Sequence, residues 1–271
     1  MSVYTQTYTH LKVMAKNHQL WVTLNNPDQS NAISYEMIDS LTKILKLADF
    51  DPQIRVIILS GEGKNFCAGG DIRAMKEKSG MFAGDANELR MRYMHGIQQI
   101  PKCIEDLSKP VIAMINGAAV GAGCDFAMMC DLRIGSEKSK FAETFNKLGL
   151  VPGDGGTFFL TRVVGYAKAI QMFMTSEMIE GEKALQFGLL NYLVPHDQLE
   201  QETVKLAEKI SNSAPVAVQL TKKAMKISYL HDLASSLDML AGYQGIAQRT
   251  NDHFEAVQAF EEKRDSNFKG F

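Results

Sequence analysis

The sequence predicts an α/β fold with a helical C-terminal third, and three observations carry that reading. Short Val/Ile-rich apolar runs alternate with segments of helical period over the first half of the chain. Several of those runs end in glycine and other small residues, and a helical segment follows. From Thr157 onward the pattern is almost wholly helical, interrupted only around residues 190–194. No internal repeat, low-complexity tract or Pro/Gly/Ser-rich linker divides the chain. The expected organisation is therefore a core over residues 1–200 followed by a helical region over residues 201–271.

The elements follow in order. Residues 11–16 and 20–24 are strand-like runs joined by a hairpin turn at Ala15-Lys16-Asn17-His18-Gln19. Over residues 34–47, Met37, Ile38, Leu41, Ile44 and Leu45 recur at the spacing of one helical face. Val56-Ile57-Ile58-Leu59 is a continuous apolar run closed by Gly61 and Gly63, which suits a strand buried on both sides. Residues 86–107 read as a helix that breaks at Pro101. A buried strand at 111–115, a helix at 121–130 and short strands at 132–134 and 140–142 come next. Apolar strands separated by helices imply largely parallel pairing with helical crossovers. Helices are expected over residues 168–174, 181–186, 198–213, 216–229, 233–249 and 252–263. The last opens on Asp252 and Glu255 at capping-box spacing.

Composition bounds the function. In 271 residues there are 29 Lys+Arg against 31 Asp+Glu, a net charge of −2, and 45% hydrophobic residues. That is ample for a core, which excludes a disordered chain. Near-neutrality speaks against nucleic acid or an anionic membrane as partner, since both require a basic excess. Cys67, Cys103, Cys124 and Cys130 are spaced 36, 21 and 6 apart, with no CxxC pair, so neither a zinc site nor a disulfide framework is expected. The N-terminal stretch lacks a basic-then-apolar leader and no run approaches 18 apolar residues, so a soluble, cytoplasmic protein is expected.

Three glycine-containing segments are candidates for chemistry. Asn65-Phe66-Cys67-Ala68-Gly69-Gly70-Asp71-Ile72 follows the 56–59 strand, and its small residues would let a ligand approach backbone N–H groups. A plain strand-to-helix turn with Asp71 as N-cap is the competing reading. Asn116-Gly117-Ala118-Ala119-Val120-Gly121-Ala122-Gly123-Cys124-Asp125 places a second such turn before a helix, whose N-terminal N–H groups suit an anion. Two turns of this kind could each supply one N–H to a single oxygen, forming an oxyanion hole. In Gly149-Leu150-Val151-Pro152-Gly153-Asp154-Gly155-Gly156-Thr157, the aspartate is either a turn cap or an exposed acid. No GxSxG, HExxH, P-loop or convincing dinucleotide fingerprint occurs. The six histidines are scattered; His95 alone, in the helix after the first glycine segment, is kept as a candidate. The 15 methionines read as core filler, with some available to line an acyl pocket.

These segments together resemble the crotonase (enoyl-CoA hydratase/isomerase) family. The resemblance rests on residues 57–61 through Phe66-Cys67-Ala68-Gly69-Gly70-Asp71, and on Lys109-Pro110-Val111-Ile112-Ala113 through Asn116–Gly123. It extends to Leu24-Asn25-Asn26-Pro27 with Asn31-Ala32, and to Ala259-Phe260-Glu261-Glu262-Lys263-Arg264, spanning residues 10 to 270. It implies a crotonase-like ββα spiral with a C-terminal helical trimerisation region, assembled as a homotrimer or as a hexamer built from two trimers. It also implies an acyl-CoA thioester substrate, no metal and no cofactor beyond the coenzyme A of the substrate itself. By the same resemblance the thioester carbonyl would be held by the N–H groups of Ala68 and Ala122. Ala68, Gly69, Gly70, Asp71 and Ala122 would bind substrate, and Phe268-Lys269 would reach toward the nucleotide end.

Two positions depart from the family's hydratase pattern. The first of its two glutamates is Asp125 here, one methylene shorter. The second falls on Phe145, within Phe141-Ala142-Glu143-Thr144-Phe145, and phenylalanine transfers no proton. Glu143, two residues earlier, is expected to point elsewhere. Asp154 matches the place of a catalytic aspartate in the family's dienoyl-CoA isomerases. The resulting expectation is an enoyl-CoA hydratase-like enzyme working through a stabilised enolate, with Asp125 and Asp154 as the catalytic candidates. The alternatives are an enoyl- or dienoyl-CoA isomerase using Asp154 as acid/base with Asp125 as its partner, or a catalytically silent binding protein of the same fold in which both aspartates are structural. A decarboxylase or hydrolase using the same oxyanion hole is a further enzymatic alternative.

Overall fold

Residues 3–271 are described by the structure, a computed structural model. The strands are β1 (Leu11–Lys16), β2 (Gln19–Leu24), β3 (Val56–Gly61), β4 (Val111–Ile115), β5 (Ala118–Val120), β6 (Leu132–Ser136), β7 (Lys140–Ala142), β8 (Ile179–Glu180) and β9 (Tyr192–Val194). The helices are α1 (Tyr35–Phe50), α2 (Ile72–Glu77), α3 (Ala86–His95), α4 (Gln99–Asp106), α5 (Ala122–Met129), α6 (Gly156–Val164), α7 (Tyr166–Thr175), α8 (Gly181–Phe187), α9 (Leu199–Ser211), α10 (Pro215–Ser228), α11 (Leu233–Ala247) and α12 (Asn251–Glu262).

Six strands make one sheet in the order β1-β2-β3-β4-β6-β9, antiparallel only at the β1/β2 hairpin. A second sheet, β5-β7-β8, pairs β5 and β7 in parallel. The chain alternates between them: β4 leads into β5 and then α5, and β6 leads into β7 and then α6. At the preceding turn β3 is followed by a single bridge from Cys67 to Ala119 of β5, and then by α2. The expected ββα spiral is this repetition. Its consequence for function is that a helix follows each turn, and residues at or just before the starts of α2, α5 and α6 line one cavity.

The β-period decides which residues meet. Ile57 and Leu59 pack into the main core, whereas Val56 and Ile58 face the other way and join Ile112, Ile134, Leu199 and Ala207 in a second cluster. Every residue of β3 is buried, as its uninterrupted apolar run predicts. Because α9 supplies Leu199 and Ala207, it covers the sheet and belongs with the core. The boundary expected between residues 200 and 201 therefore falls inside a core helix, and α10 is the first helix beyond it.

Two local expectations are corrected. The helix over 86–107 breaks at residues 96–98, not at Pro101, which stands at the third position of α4. A first-turn N–H has no acceptor within its own helix, so proline is tolerated there. The capping pair at Asp252 and Glu255 is not formed, because Thr250 caps α12 by accepting from the His253 N–H. Asp252 is instead buried and accepts from the N–H groups of Lys269 (2.6 Å) and Gly270 (2.8 Å), tying the C-terminal tail to the helix.

Candidate active site

The two glycine turns meet back to back. Phe66 and Cys67 donate their N–H groups to the carbonyl of Ala118, and Val120 donates to that of Cys67. Gly123 sits so tightly on this junction that a Cβ would lie 2.0 Å from the Cys67 carbonyl oxygen, so only glycine permits the approach. A narrow cavity opens there, lined by Ala68, Gly70, Ala122, Phe145 and Asp154 together with the cover formed by Ile72, Met75, Met81, Phe82 and Tyr93. Four of the expected site residues are thus brought together: Ala68, Gly70, Ala122 and Asp154.

Their roles differ from expectation. The Ala68 N–H is already engaged, donating to the Ser30 carbonyl at 3.0 Å. Among the described residues no acceptor meets the N–H of Gly70 or that of Ala122, the first residue of α5, where helical N–H groups have no internal acceptor. The free pair is therefore Gly70 and Ala122, which corrects the assignment to Ala68. Asp71 is the cap of α2: its carboxylate accepts from Arg73 (2.8 Å) and Ala74 (3.2 Å), and it does not line the cavity. Gly69 also lies outside the lining, with its carbonyl accepting from the Ile33 N–H. His95 is exposed at the end of α3, away from the cavity.

The acids form one buried group. Asp154 is 3% exposed and touches the cavity; Asp125 and Glu143 are wholly buried behind it. Asp125 lies within hydrogen-bonding reach of both Asp154 and Glu143. Its carboxyl rests on Gly156, where a Cβ would come within 1.8 Å of Oδ1. Burial raises Asp125 well above the ordinary carboxylate range, helped by the charges of Glu143 and Asp154. Burial also raises Asp154, against the hydrogen bond from Asp125, and pushes Glu143 up to about 8. The turn carrying Asp154 is held from α3 and the residues before α4. Gln98 Nε2 donates to the Gly153 carbonyl at 2.7 Å, and the Tyr93 ring packs on Gly153. Burial and the charge of Asp154 keep the Tyr93 hydroxyl protonated beyond its usual range. Cys67, wholly buried, is pushed up to about 12 and is inert as a nucleophile.

Strand alternation would put Glu143 and Phe145, two residues apart, on one face. Glu143 does point elsewhere, as expected, because β7 ends at Ala142 before either residue, and it lands against Asp125 and the Cys124 thiol. The spacing of the two signals, Glu143 and Asp125, is eighteen residues across a strand pairing, which no local pattern records. Phe145 does line the cavity, facing the space beside Asp154 with a side chain that carries no proton.

The family model described as enoyl-CoA hydratase/isomerase matches residues 15–270. The chain belongs to the enoyl-CoA hydratase/isomerase family. Among its relatives is a mitochondrial enoyl-CoA hydratase of Pongo abelii, 36% identical over 250 residues, covering 92% of this chain and 82% of that protein. A 1,2-epoxyphenylacetyl-CoA isomerase of Escherichia coli is 33% identical over 249 residues, covering 92% and 94%. The crystal structure of an enoyl-CoA hydratase from Bacillus anthracis superposes with a TM-score of 0.90 at 32% identity, covering 97% of this chain and all of that one. The crotonase-type fold and the enzyme class read from the sequence, enoyl-CoA hydratase/isomerase, both stand on these matches. Among the described residues no helix is long and apolar enough to cross a membrane.

Proposed function

We propose that this enzyme moves a double bond in an enoyl-CoA thioester by a 1,3-proton transfer, with Asp154 as its acid/base. One observation carries the reading: among the described residues Asp154 is the only carboxyl lining the cavity, and Phe145, which by the family resemblance stands in place of the second glutamate, lines it too. The Asp154 carboxylate takes a proton from the α-carbon of a 3-enoyl thioester. The electron pair left behind shifts to the thioester oxygen, where the N–H groups of Gly70 and Ala122 would stabilise it as an oxyanion hole. The protonated Asp154 then returns its proton to the γ-carbon, and the double bond passes from C3–C4 to C2–C3. Each atom is conserved, and a single acid/base suffices.

Hydration of a 2-enoyl-CoA is the second reading, favoured by relatives such as the mitochondrial enoyl-CoA hydratase and a short-chain-enoyl-CoA hydratase of Clostridium acetobutylicum. The two are separated by a panel of 2-enoyl-, 3-enoyl- and 2,4-dienoyl-CoAs followed by the absorbance of the conjugated thioester. Conversion of 3-enoyl substrate that disappears in Asp154→Asn supports isomerisation. Hydration at an unchanged rate in the same variant would exclude this role for Asp154.

A trimer or hexamer is supported by the large apolar side chains left exposed on α11, α12 and the α10–α11 turn, including Tyr229, Leu233, Ile246, Phe254 and Phe260. Lys269 is anchored through its backbone to Asp252 with its side chain exposed, which suits contact with the phosphates of coenzyme A. We place the enzyme in the cytoplasm, without metal or redox cofactor, and its near-neutral charge supports a reading without a nucleic-acid or membrane partner.

A further inference from the structure

The buried acid group contains three carboxyls, and the reaction uses one. Five of its oxygens, both of Asp125, both of Glu143 and Oδ1 of Asp154, are buried with no nitrogen or hydroxyl donor among the described residues, and only the weak S–H of Cys124 reaches Glu143. Among the described residues no cation compensates them. The buried Arg133 guanidinium, which the Cys124 thiol feels, is engaged by the carbonyls of Cys130 and Leu189 and by the Asn191 side chain. The other titratable groups facing the acids are Cys124 on α5, and Tyr93 on α3 and Cys67, which face Asp154; burial keeps all three neutral. Among the described residues no such cluster is arranged to hold a metal ion. Apart from the weak Cys124 thiol, the oxygens are satisfied by one another's protons, since three adjacent buried anions repel and lack solvation.

Asp125 stands in the middle, within reach of both neighbours, and a neutral carboxyl has one proton to donate. That proton can serve Asp154 or Glu143, not both. We propose that Glu143 is a positioning residue: held neutral, it donates its own proton to Asp125 and so directs Asp125's single proton outward to Asp154 at the cavity wall. Asp154 is then the one acid of the three that ionises in the working enzyme, and its carboxylate is stabilised by a hydrogen bond supplied from behind. When Glu143 ionises, it captures the Asp125 proton. Asp154 loses its donor, faces a second anion and retains a proton, so it no longer acts as a base. Burial places the Glu143 transition at about pH 8, above the neutral range where the enzyme would operate. The assignment rests on Asp154 being the acid/base of the reaction.

The test compares pH profiles of kcat for wild type, Glu143→Gln and Glu143→Leu on the isomerisation substrate. Glutamine mimics the neutral acid as a donor, so E143Q should keep the neutral-pH kcat and lose the decline above about pH 8. Leucine removes the donor, so E143L should lose about tenfold or more in kcat and show an acidic limb moved to higher pH. Infrared spectra supply a readout independent of turnover and of whether E143L folds: at neutral pH, E143Q should lack one protonated-carboxyl band present in wild type. An unchanged alkaline limb in E143Q, an E143L profile like wild type, or an acidic limb moved to lower pH in E143L would each overturn the assignment, as would an unchanged band count in E143Q. Wild-type turnover by D154N would overturn the isomerase reading instead, so the two failures are distinguishable.

Discussion

The two sides of the cavity are built on opposite principles. The acid wall, from α5, the end of β7 and the turn before α6, consists of wholly buried side chains whose positions are dictated by close backbone contacts, such as Asp125 resting on Gly156. The cover, α2 and α3 with the short helical turn between them, has no buried residue in either helix and is held largely by caps: Asp71 for α2 and an Asp85–Glu88 capping box for α3. Proton chemistry needs carboxyls fixed to within a fraction of an ångström and sheltered from water. Accommodation of different acyl chains needs the reverse, and segments with little buried surface open at low cost. The fold assigns one requirement to each wall.

The largest expected effect breaks the acid wall at its catalytic end. Asp154→Asn should lower kcat by about 10²–10⁴-fold while leaving substrate binding nearly intact, as steady-state kinetics with a 3-enoyl-CoA would reveal. A pH series probes the same wall through stability. Glu143 is raised from its ordinary 4.5 to about 8, and Asp125 and Asp154 are raised as well. The folded state thus binds more protons than the unfolded chain above about pH 4.5, and its stability should be greatest below that pH on this account. It should fall steadily as the pH rises through 8. Denaturant unfolding at several pH values would measure this, and a stability that increases over that interval would contradict the buried, neutral acids.

Gly156→Ala drives a methyl group into the Asp125 carboxyl. The expected cost is about 1–3 kcal/mol of unfolding free energy, accompanied by a loss of kcat larger than an ordinary surface change would cause. The smallest effect belongs to the cover. Phe82→Ala, at a half-buried position lining the cavity, should change stability by only about 0.5 kcal/mol. It should nevertheless shift the ratio of kcat/KM between short and long enoyl-CoAs by about tenfold. If Phe82→Ala proved as damaging to kcat as Gly156→Ala, the division of labour between the walls would be wrong.

Much of this was legible in the residues. Burial of β3 on both faces and the small-residue turns at 67–70 and 121–123 follow from local chemistry, because an uninterrupted apolar run and glycine geometry act over a few residues. The misread places are those where a distant partner intervenes. Pro101 looked like a helix breaker until α4 began two residues before it. Asp252 looked like a cap until the C-terminal tail claimed its oxygens. Ala68 is an open donor by the family resemblance, but the Ser30 carbonyl stands opposite and accepts its N–H.

The residue order by itself determined the parallel sheet with helical crossovers and the two glycine turns, since each depends on residue type and short spacing; that Phe145 stands in place of a second proton donor is what the family resemblance implies. Only the tertiary structure decided which N–H groups remain free and that Glu143, Asp125 and Asp154 share one buried site. Hydrogen-bond availability and desolvation are properties of what lies across the fold, and the segments that supply it here are separated by tens of residues along the chain.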